Sequence, residues 1–245
     1  WIYDVAKRIE TKFADPRVLL ADDAEVPAAE RARRERMRET TSGITSYSTD
    51  RTGTKVAFAL SGQLFVGQTS DAALKNLNVA GPVIDPRLSP DGNYVAWSNG
   101  KDLFIVDVTG SGLRNLTNEK AENVSWGLAD FIASEEFGRM HGYWWSPDSD
   151  SLIVELVNDA EVQTWWISDP ATPAKTPQEI QYPAAGTNNA KVGLEKISIS
   201  GAREAIRWDV DAFEYLISVS WQKDCNALIT VADRAQQQFV TYSAG

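Results

Sequence analysis

Four stretches of the chain repeat one strand–turn–strand pattern, and a chain built of such repeats must bury each unit against its neighbours. Each repeat has an aromatic or polar residue, a turn built on aspartate, an apolar strand, a short gap and a second strand. The pattern reads Ser48-Thr49-Asp50-Arg51-Thr52-Gly53 before KVAFAL and QLFVGQ, then Leu88-Ser89-Pro90-Asp91-Gly92 before YVAWSN and DLFIVDV. It recurs as Trp145-Ser146-Pro147-Asp148-Ser149 before SLIVELV and VQTWWISD, and as Trp221-Gln222-Lys223-Asp224-Cys225 before ALITVA and QQFVTYSA. Proline pre-sets φ for a turn, aspartate caps it through its own backbone, and glycine takes positive φ. Runs rich in Val, Ile, Phe, Trp and Tyr read as strands, with SGQ and NGKD as hairpin connections.

The repeated aspartates at 50, 91, 148 and 224 are separated by 41, 57 and 76 positions. The first spacing matches a four-stranded propeller blade of about 40 residues, and the longer ones imply insertions. The predicted fold class is therefore all-β: residues 1–245 form part of one β-propeller domain, with about four to five blades present. A sandwich of stacked hairpins fits the repeat less well.

Three segments depart from the repeat. Residues 27–40, PAAERARRERMRET, predict a short Arg-rich helix, with Pro27 in its first turn and Glu30 placed to pair with Arg34. Lacking an apolar stripe, it should be a solvated helix or an arm that orders on binding. Residues 118–144 interrupt the third repeat, and 171–194, rich in Pro, Thr, Asn and Gly, read as an extended loop.

A formal charge of −10 argues against a general nucleic-acid binder, which needs a basic face for phosphates. Cys225 is the only cysteine, so an internal disulfide and a cysteine-rich zinc site are excluded, and its expected role is a buried small hydrophobe. No apolar run approaches the roughly 20 residues that span a bilayer. The chain starts without methionine and in mid-pattern, which predicts a fragment of a longer protein. Cytoplasmic localisation is the expectation from the single cysteine, with a periplasmic or secreted location as the alternative.

His141 is the only histidine, and no G-x-S-x-G motif occurs, so the chain supplies at most one member of a Ser-His-Asp triad. No catalytic residue, metal site or cofactor site is predicted, and His141 is expected to be a loop histidine satisfied by a neighbour. The stretch FIASEEFGRMHGYWWSPD, residues 131–148, sets Glu135 and Glu136 side by side among Phe131, Phe137, Tyr143, Trp144 and Trp145. On a strand the two carboxylates would point to opposite faces. On a helical turn they stand about 100° apart and can line one rim, where they would suit a cation with several N–H donors such as a peptide α-ammonium. From spacing alone, a solvated glutamate pair explains the same residues.

EEFGRMHGYWWSPD resembles the signature of the dipeptidyl peptidase IV family, serine exopeptidases of the prolyl oligopeptidase-like clan, and is most similar to bacterial and dipeptidyl peptidase 8/9-like members. RRERMR followed by GITSY, DPRLSPDG, DLFIVDV and YPAAGTNNAKV agree with that family in the same order. The resemblance implies an eight-bladed propeller, followed in the whole enzyme by an α/β-hydrolase domain with the catalytic triad, so this chain alone should be inactive. It also implies that residues 131–145 are a substrate-anchoring insertion, in which Glu135 and Glu136 hold the free N-terminus of a peptide. Arg38, with Arg36 as runner-up, would contact a substrate carbonyl. Implied partners are such a peptide and the hydrolase domain of the same protein, and a homodimer is allowed. The implied function is release of N-terminal Xaa-Pro or Xaa-Ala dipeptides. The rival is a non-catalytic TolB- or WD-like scaffold, and a propeller glycosidase fits poorly because adjacent glutamates do not span a sugar.

Overall fold

The structure, a computed structural model, describes residues 1–20, 26–40, 43–70 and 73–244. It opens with the hairpin β1 (Ile2–Asp4) and β2 (Ile9–Thr11), then two helices, α1 (Pro16–Leu19) and α2 (Ala28–Arg36). Four antiparallel sheets follow in chain order. The first holds β3 (Ser48–Thr49), β4 (Lys55–Leu60), β5 (Gln63–Gln68) and β6 (Leu74–Asn76), and the second holds β7 (Ile84–Leu88), β8 (Tyr94–Ser98), β9 (Leu103–Asp107) and β10 (Arg114–Asn115). Each is a meander in which every strand pairs with its sequence neighbour. Between β4 and β5 the chain reverses through Ser61 and Gly62, both at positive φ (47° and 74°), the primed-turn geometry that matches strand twist.

The third sheet departs from this meander. Here β11 (Val124–Trp126), the helix α3 (Phe131–Glu136) and β12 (Tyr143–Trp145) precede the long strand β13 (Ser151–Asn158). Both β11 and β12 pair with β13, at its two ends, so one strand position is split and residues 127–142 bulge out of it. The neck is a Gly127–Gly142 bridge, and a Cβ on Gly142 would lie 2.4 Å from backbone atoms of Leu128. The interruption is therefore shorter than the expected 118–144.

A second correction concerns VQTWWISD. It does not supply the next strand of the sheet. Instead β14 (Thr164–Ile167) pairs only with β15 (Gln178–Gln181), as a separate hairpin that exposes Trp165, Trp166 and Ile167. The strand beside β13 is β16 (Lys191–Ser198), which pairs along all eight residues, and β17 (Arg203–Ile206) lies outside it. Residues 171–194 thus contain strand structure where an extended loop was expected. A fourth sheet, β18 (Tyr215–Ser220), β19 (Ala227–Ala232) and β20 (Phe239–Ala244), completes the set.

Apolar faces bind each sheet to the next. Ala57, Leu64 and Val66 of the first meet Val95, Trp97 and Val106 of the second. On the other side, Leu103 and Ile105 pack against Trp126, Tyr143, Leu152 and Val154 of the third, while Ile153 and Leu194 meet Leu216, Ile229 and Val231 of the fourth. In the fourth sheet, Leu228 and Phe239 are exposed.

The aspartate turns also link the sheets. Asp50 accepts the Lys55 amide at 2.7 Å, and Asp91 accepts from Ser89 Oγ at 2.6 Å and the Asn93 amide at 3.0 Å. Between turns, the Arg51 amide donates to the Pro90 carbonyl, the Asp91 amide to Ser149 Oγ, and the Arg51 guanidinium to the Pro147 carbonyl. Asp224, in the fourth repeat, makes no such cap among the described residues, and Cys225 beside it is exposed. The expectation of a buried cysteine fails because this turn lies at the rim, beyond the apolar side chains of β19.

Two expectations about the Arg-rich segment are corrected. The helix covers 28–36 with Pro27 at its N-cap, shorter than 27–40, and it is not solvated throughout. Glu30, Arg33 and Arg34 are buried, and Glu30 takes Arg33 Nε and Arg34 Nε at 2.8 Å each. The buried face is thus an ion-paired one, a solution that an apolar-stripe criterion does not register.

Candidate functional site

The bulge at 127–142 carries α3, which is held by its cap and by aromatic contacts on either side. Asp130 caps the helix, its Oδ1 accepting from the amides of Ile132 and Ala133 at 2.8 and 3.1 Å. Ala133 and Ser134 are buried, and Ser134 Oγ donates back to the Asp130 carbonyl at 2.9 Å. Phe131 packs edge-on against Tyr182, and Phe137 lies against Tyr215 of β18. Glu135 and Glu136 are the last two residues of the helix, both exposed, so they occupy neighbouring sectors of one turn. Neither carboxylate has an ion-pair or hydrogen-bond partner among the described residues, and the last turn contains no basic residue. Two anions at a helix C-terminus add to the partial negative charge of that end, so the position favours an incoming cation.

Arg36 stacks over Phe131 at 5.6 Å, which couples the end of α2 to the start of α3. Arg38 is exposed in the turn after α2, with φ of 54°, and makes no ion pair among the described residues. Sequence reasoning placed Arg38 ahead of Arg36; the structure gives the direct contact with the glutamate-bearing helix to Arg36. A cavity of about 360 Å³ lies between the two segments, bordered by Met37, Gly138, Asp85, Arg87, Arg139 and His141. It therefore adjoins the immediate neighbour of Arg38 and the residues that follow Glu136.

His141 is held as expected for a loop histidine. Its Nδ1 lies 2.9 Å from Asp85 Oδ2, and Arg87 Nε reaches the same oxygen at 3.1 Å. Burial would raise the Asp85 carboxyl, but His141 and Arg87 outweigh it and hold it well below the usual carboxylate range.

Sequence reasoning missed the ion-pair core beneath the bulge. Arg139 binds both oxygens of Glu155, one at 3.0 Å, and Glu155 is fully buried where β13 passes the neck. Burial pushes the Glu155 carboxyl up to about 7, against the pull of Arg139. Burial works to lower the Arg139 guanidinium, and the charges of Glu155 and Asp130 outweigh it, raising the pKa above its ordinary value. The available signal was a single glutamate inside the apolar run SLIVELV. Among the described residues no group of three or more His, Cys, Asp or Glu side chains could hold a metal ion.

A family model described as the dipeptidyl peptidase IV (DPP IV) N-terminal region matches residues 47–244, most of the chain. The chain belongs to the dipeptidyl peptidase IV family. Its relatives include human dipeptidyl peptidase 8, 29% identical over 193 residues, with 68% of this chain and 22% of the relative covered. Rat inactive dipeptidyl peptidase 10 is 29% identical over 161 residues, covering 58% and 20%. A probable dipeptidyl-aminopeptidase B of Arthroderma gypseum is 28% identical over 120 residues, covering 44% and 13%. Among solved structures, Porphyromonas gingivalis dipeptidyl peptidase 4 superposes with a TM-score of 0.70 at 20% identity, over 82% of this chain and 31% of that one. The chain spans about a fifth of the length of human dipeptidyl peptidase 8 and rat dipeptidyl peptidase 10. The fold class is accordingly all-β, as expected, and the family is the expected one. Among the described residues no helix is long and apolar enough to cross a membrane.

Proposed function

We propose that this region anchors the free N-terminus of a peptide for a dipeptidyl peptidase, with its four sheets acting as blades of a propeller. The observation that carries the reading is the pair Glu135 and Glu136, exposed on one braced helical turn with no cationic partner among the described residues. A peptide α-ammonium brings three N–H donors and a positive charge, and two carboxylates on adjacent sectors offer acceptors for them. The exposed Arg38, with Arg36 beside it, would take a peptide carbonyl, since a guanidinium donates in a planar fork. Binding the amino end at a fixed place sets how many residues reach the reacting centre. That centre belongs to a hydrolase domain of the same protein, which would carry out acyl transfer on Xaa-Pro or Xaa-Ala substrates. The family includes a relative named inactive, so membership alone does not supply activity.

The test is made in the complete peptidase, with a chromogenic Xaa-Pro substrate offered as the free amine and as its N-acetyl derivative. Cleavage confined to the free amine is expected. A charged hydrogen bond contributes about 1.5–3 kcal/mol, so Glu135→Gln or Glu136→Gln should each lower kcat/KM on the free amine by at least about tenfold. Unchanged turnover in both variants would remove the assignment.

A further inference from the structure

The bulge that carries the glutamates leaves a gap in the third sheet. Opposite that gap stands Glu155, whose amide donates to the Gly142 carbonyl at 2.7 Å and whose carbonyl accepts from the Gly127 amide at 2.9 Å. The backbone of Glu155 therefore joins the two ends of the interrupted strand. Its carboxylate is reached from the bulge itself, by Arg139, three residues beyond Glu136.

Arg139 makes five kinds of polar contact. Besides Glu155, it donates to the Leu216 carbonyl of the next sheet through Nη2 at 3.1 Å and Nε at 3.3 Å. It donates to the His141 carbonyl at 2.6 Å, and its Nη2 lies 3.4 Å from Oδ2 of Asp130, the cap of α3. Its own amide donates to the Ala133 carbonyl inside the helix at 3.0 Å, and its guanidinium sits over Trp144 at 5.7 Å. One buried residue thus ties the glutamate-bearing helix to β13 and to β18: its side chain reaches both strands and the Asp130 cap, and its backbone amide holds the Ala133 carbonyl.

We infer that Arg139 is a positioning residue: its planar fork fixes the turn bearing Glu135 and Glu136 against two sheets, so that the two carboxylates keep one direction. A guanidinium suits the place because its five donors lie in one plane and meet acceptors on several sides. An ammonium has the charge but not the fork, and it cannot span Glu155, Leu216 and Asp130 together. That these carboxylates bind the substrate amine rests on the anchoring reading above; that Arg139 braces them does not.

The test uses Arg139→Lys in the complete protein, which keeps a cation beside the buried acids. Amide hydrogen exchange reads the brace: the amides of 132–138 should exchange at least about tenfold faster, while those of β16 and β17 stay as protected as before. Unchanged exchange in 132–138 overturns the role, and so does equal acceleration in β16 and β17, which would mean general destabilisation. If the variant does not fold, Glu155→Gln, which keeps the shape and removes the charge, is read in the same way. On the enzyme, Arg139→Lys should raise KM for the free-amine substrate by at least about tenfold with kcat within about twofold, as loss of ground-state binding does. An unchanged KM for the free-amine substrate, in a variant whose 132–138 amides do exchange faster, would count against a role in directing the carboxylates. If Glu135→Gln and Glu136→Gln leave KM unaltered, it is the anchoring reading that fails, and hydrogen exchange alone then decides the brace.

Discussion

Replacing Tyr143 by phenylalanine removes one oxygen from a fully buried junction between the second and third sheets. Tyr143, on β12, is fully buried, and its hydroxyl reaches the carbonyls of Asp85, on β7, and Ala96, on β8, the latter at 2.8 Å. Asp85 sits at φ 49° in the irregular stretch between Ile84 and Arg87, so its carbonyl is turned out of the strand ladder towards the third sheet. Burial keeps the phenol's pKa well above its ordinary value, so it remains a donor at any working pH. Phenylalanine fills the same space without the oxygen, and almost no cavity contribution arises. What is lost is one hydrogen bond, with a buried carbonyl left unsatisfied, a change that costs about 1–3 kcal/mol. For a chain of this size each kcal/mol moves Tm by about 2–4 °C, so a fall of around 5 °C is expected by scanning calorimetry. Tyr94→Phe is the control: that ring lies under Arg114, and its hydroxyl makes no hydrogen bond among the described residues. It should move stability by less than about 0.5 kcal/mol. If Tyr143→Phe proves no more costly than Tyr94→Phe, the argument that this hydroxyl joins the second and third sheets is wrong.

Two further outcomes follow from the same geometry. At the neck of the bulge, Gly142→Ala would force a Cβ to 2.4 Å from Leu128 backbone atoms, and should cost more than about 3 kcal/mol or prevent folding. Gly138→Ala meets no atom within 4 Å and carries only the strain of φ 63°, about 1–2 kcal/mol, so comparable Tm values for the two would refute the neck. Asp50 supplies a pH dependence. Burial would raise its carboxyl, but hydrogen bonds from Thr52, the Lys55 amide and Thr54 prevail and bring it from 3.8 to about 2. Its folded value is depressed, so its contribution to stability is full above 3.8 and is lost as pH falls through about 2. Asp50→Asn should therefore flatten the stability–pH curve in that window, and an unchanged slope in urea titrations between those values would contradict it.

The candidate site was partly legible. An adjacent acid pair among aromatics, within a stretch that resembles the family signature, marked the segment, while spacing alone left a solvated glutamate pair as an explanation of the same residues. Its bracing was not legible, because Arg139 meets acceptors from β13 and β18 that lie 16 and 77 positions away. The Arg-rich helix misled for a related reason. Glu30 sits at helical spacing from both Arg33 and Arg34, which sequence permits, but nothing local reveals that the trio is buried. VQTWWISD misled in the opposite direction: its aromatic β pattern formed a strand, but not one of the sheet it was expected to join.

What the sequence determined by itself is local. The aspartate turns at 50, 91 and 148, the strands beside them and the family signature around Glu135 are set by residues within a few positions of one another, where φ preferences and side-chain alternation act directly. Tertiary structure alone decided which strand follows β13, how 127–142 leaves the sheet, and which buried charges face each other. Those outcomes depend on contacts between residues distant in sequence, whose energies arise only once packing has removed water and brought the partners together.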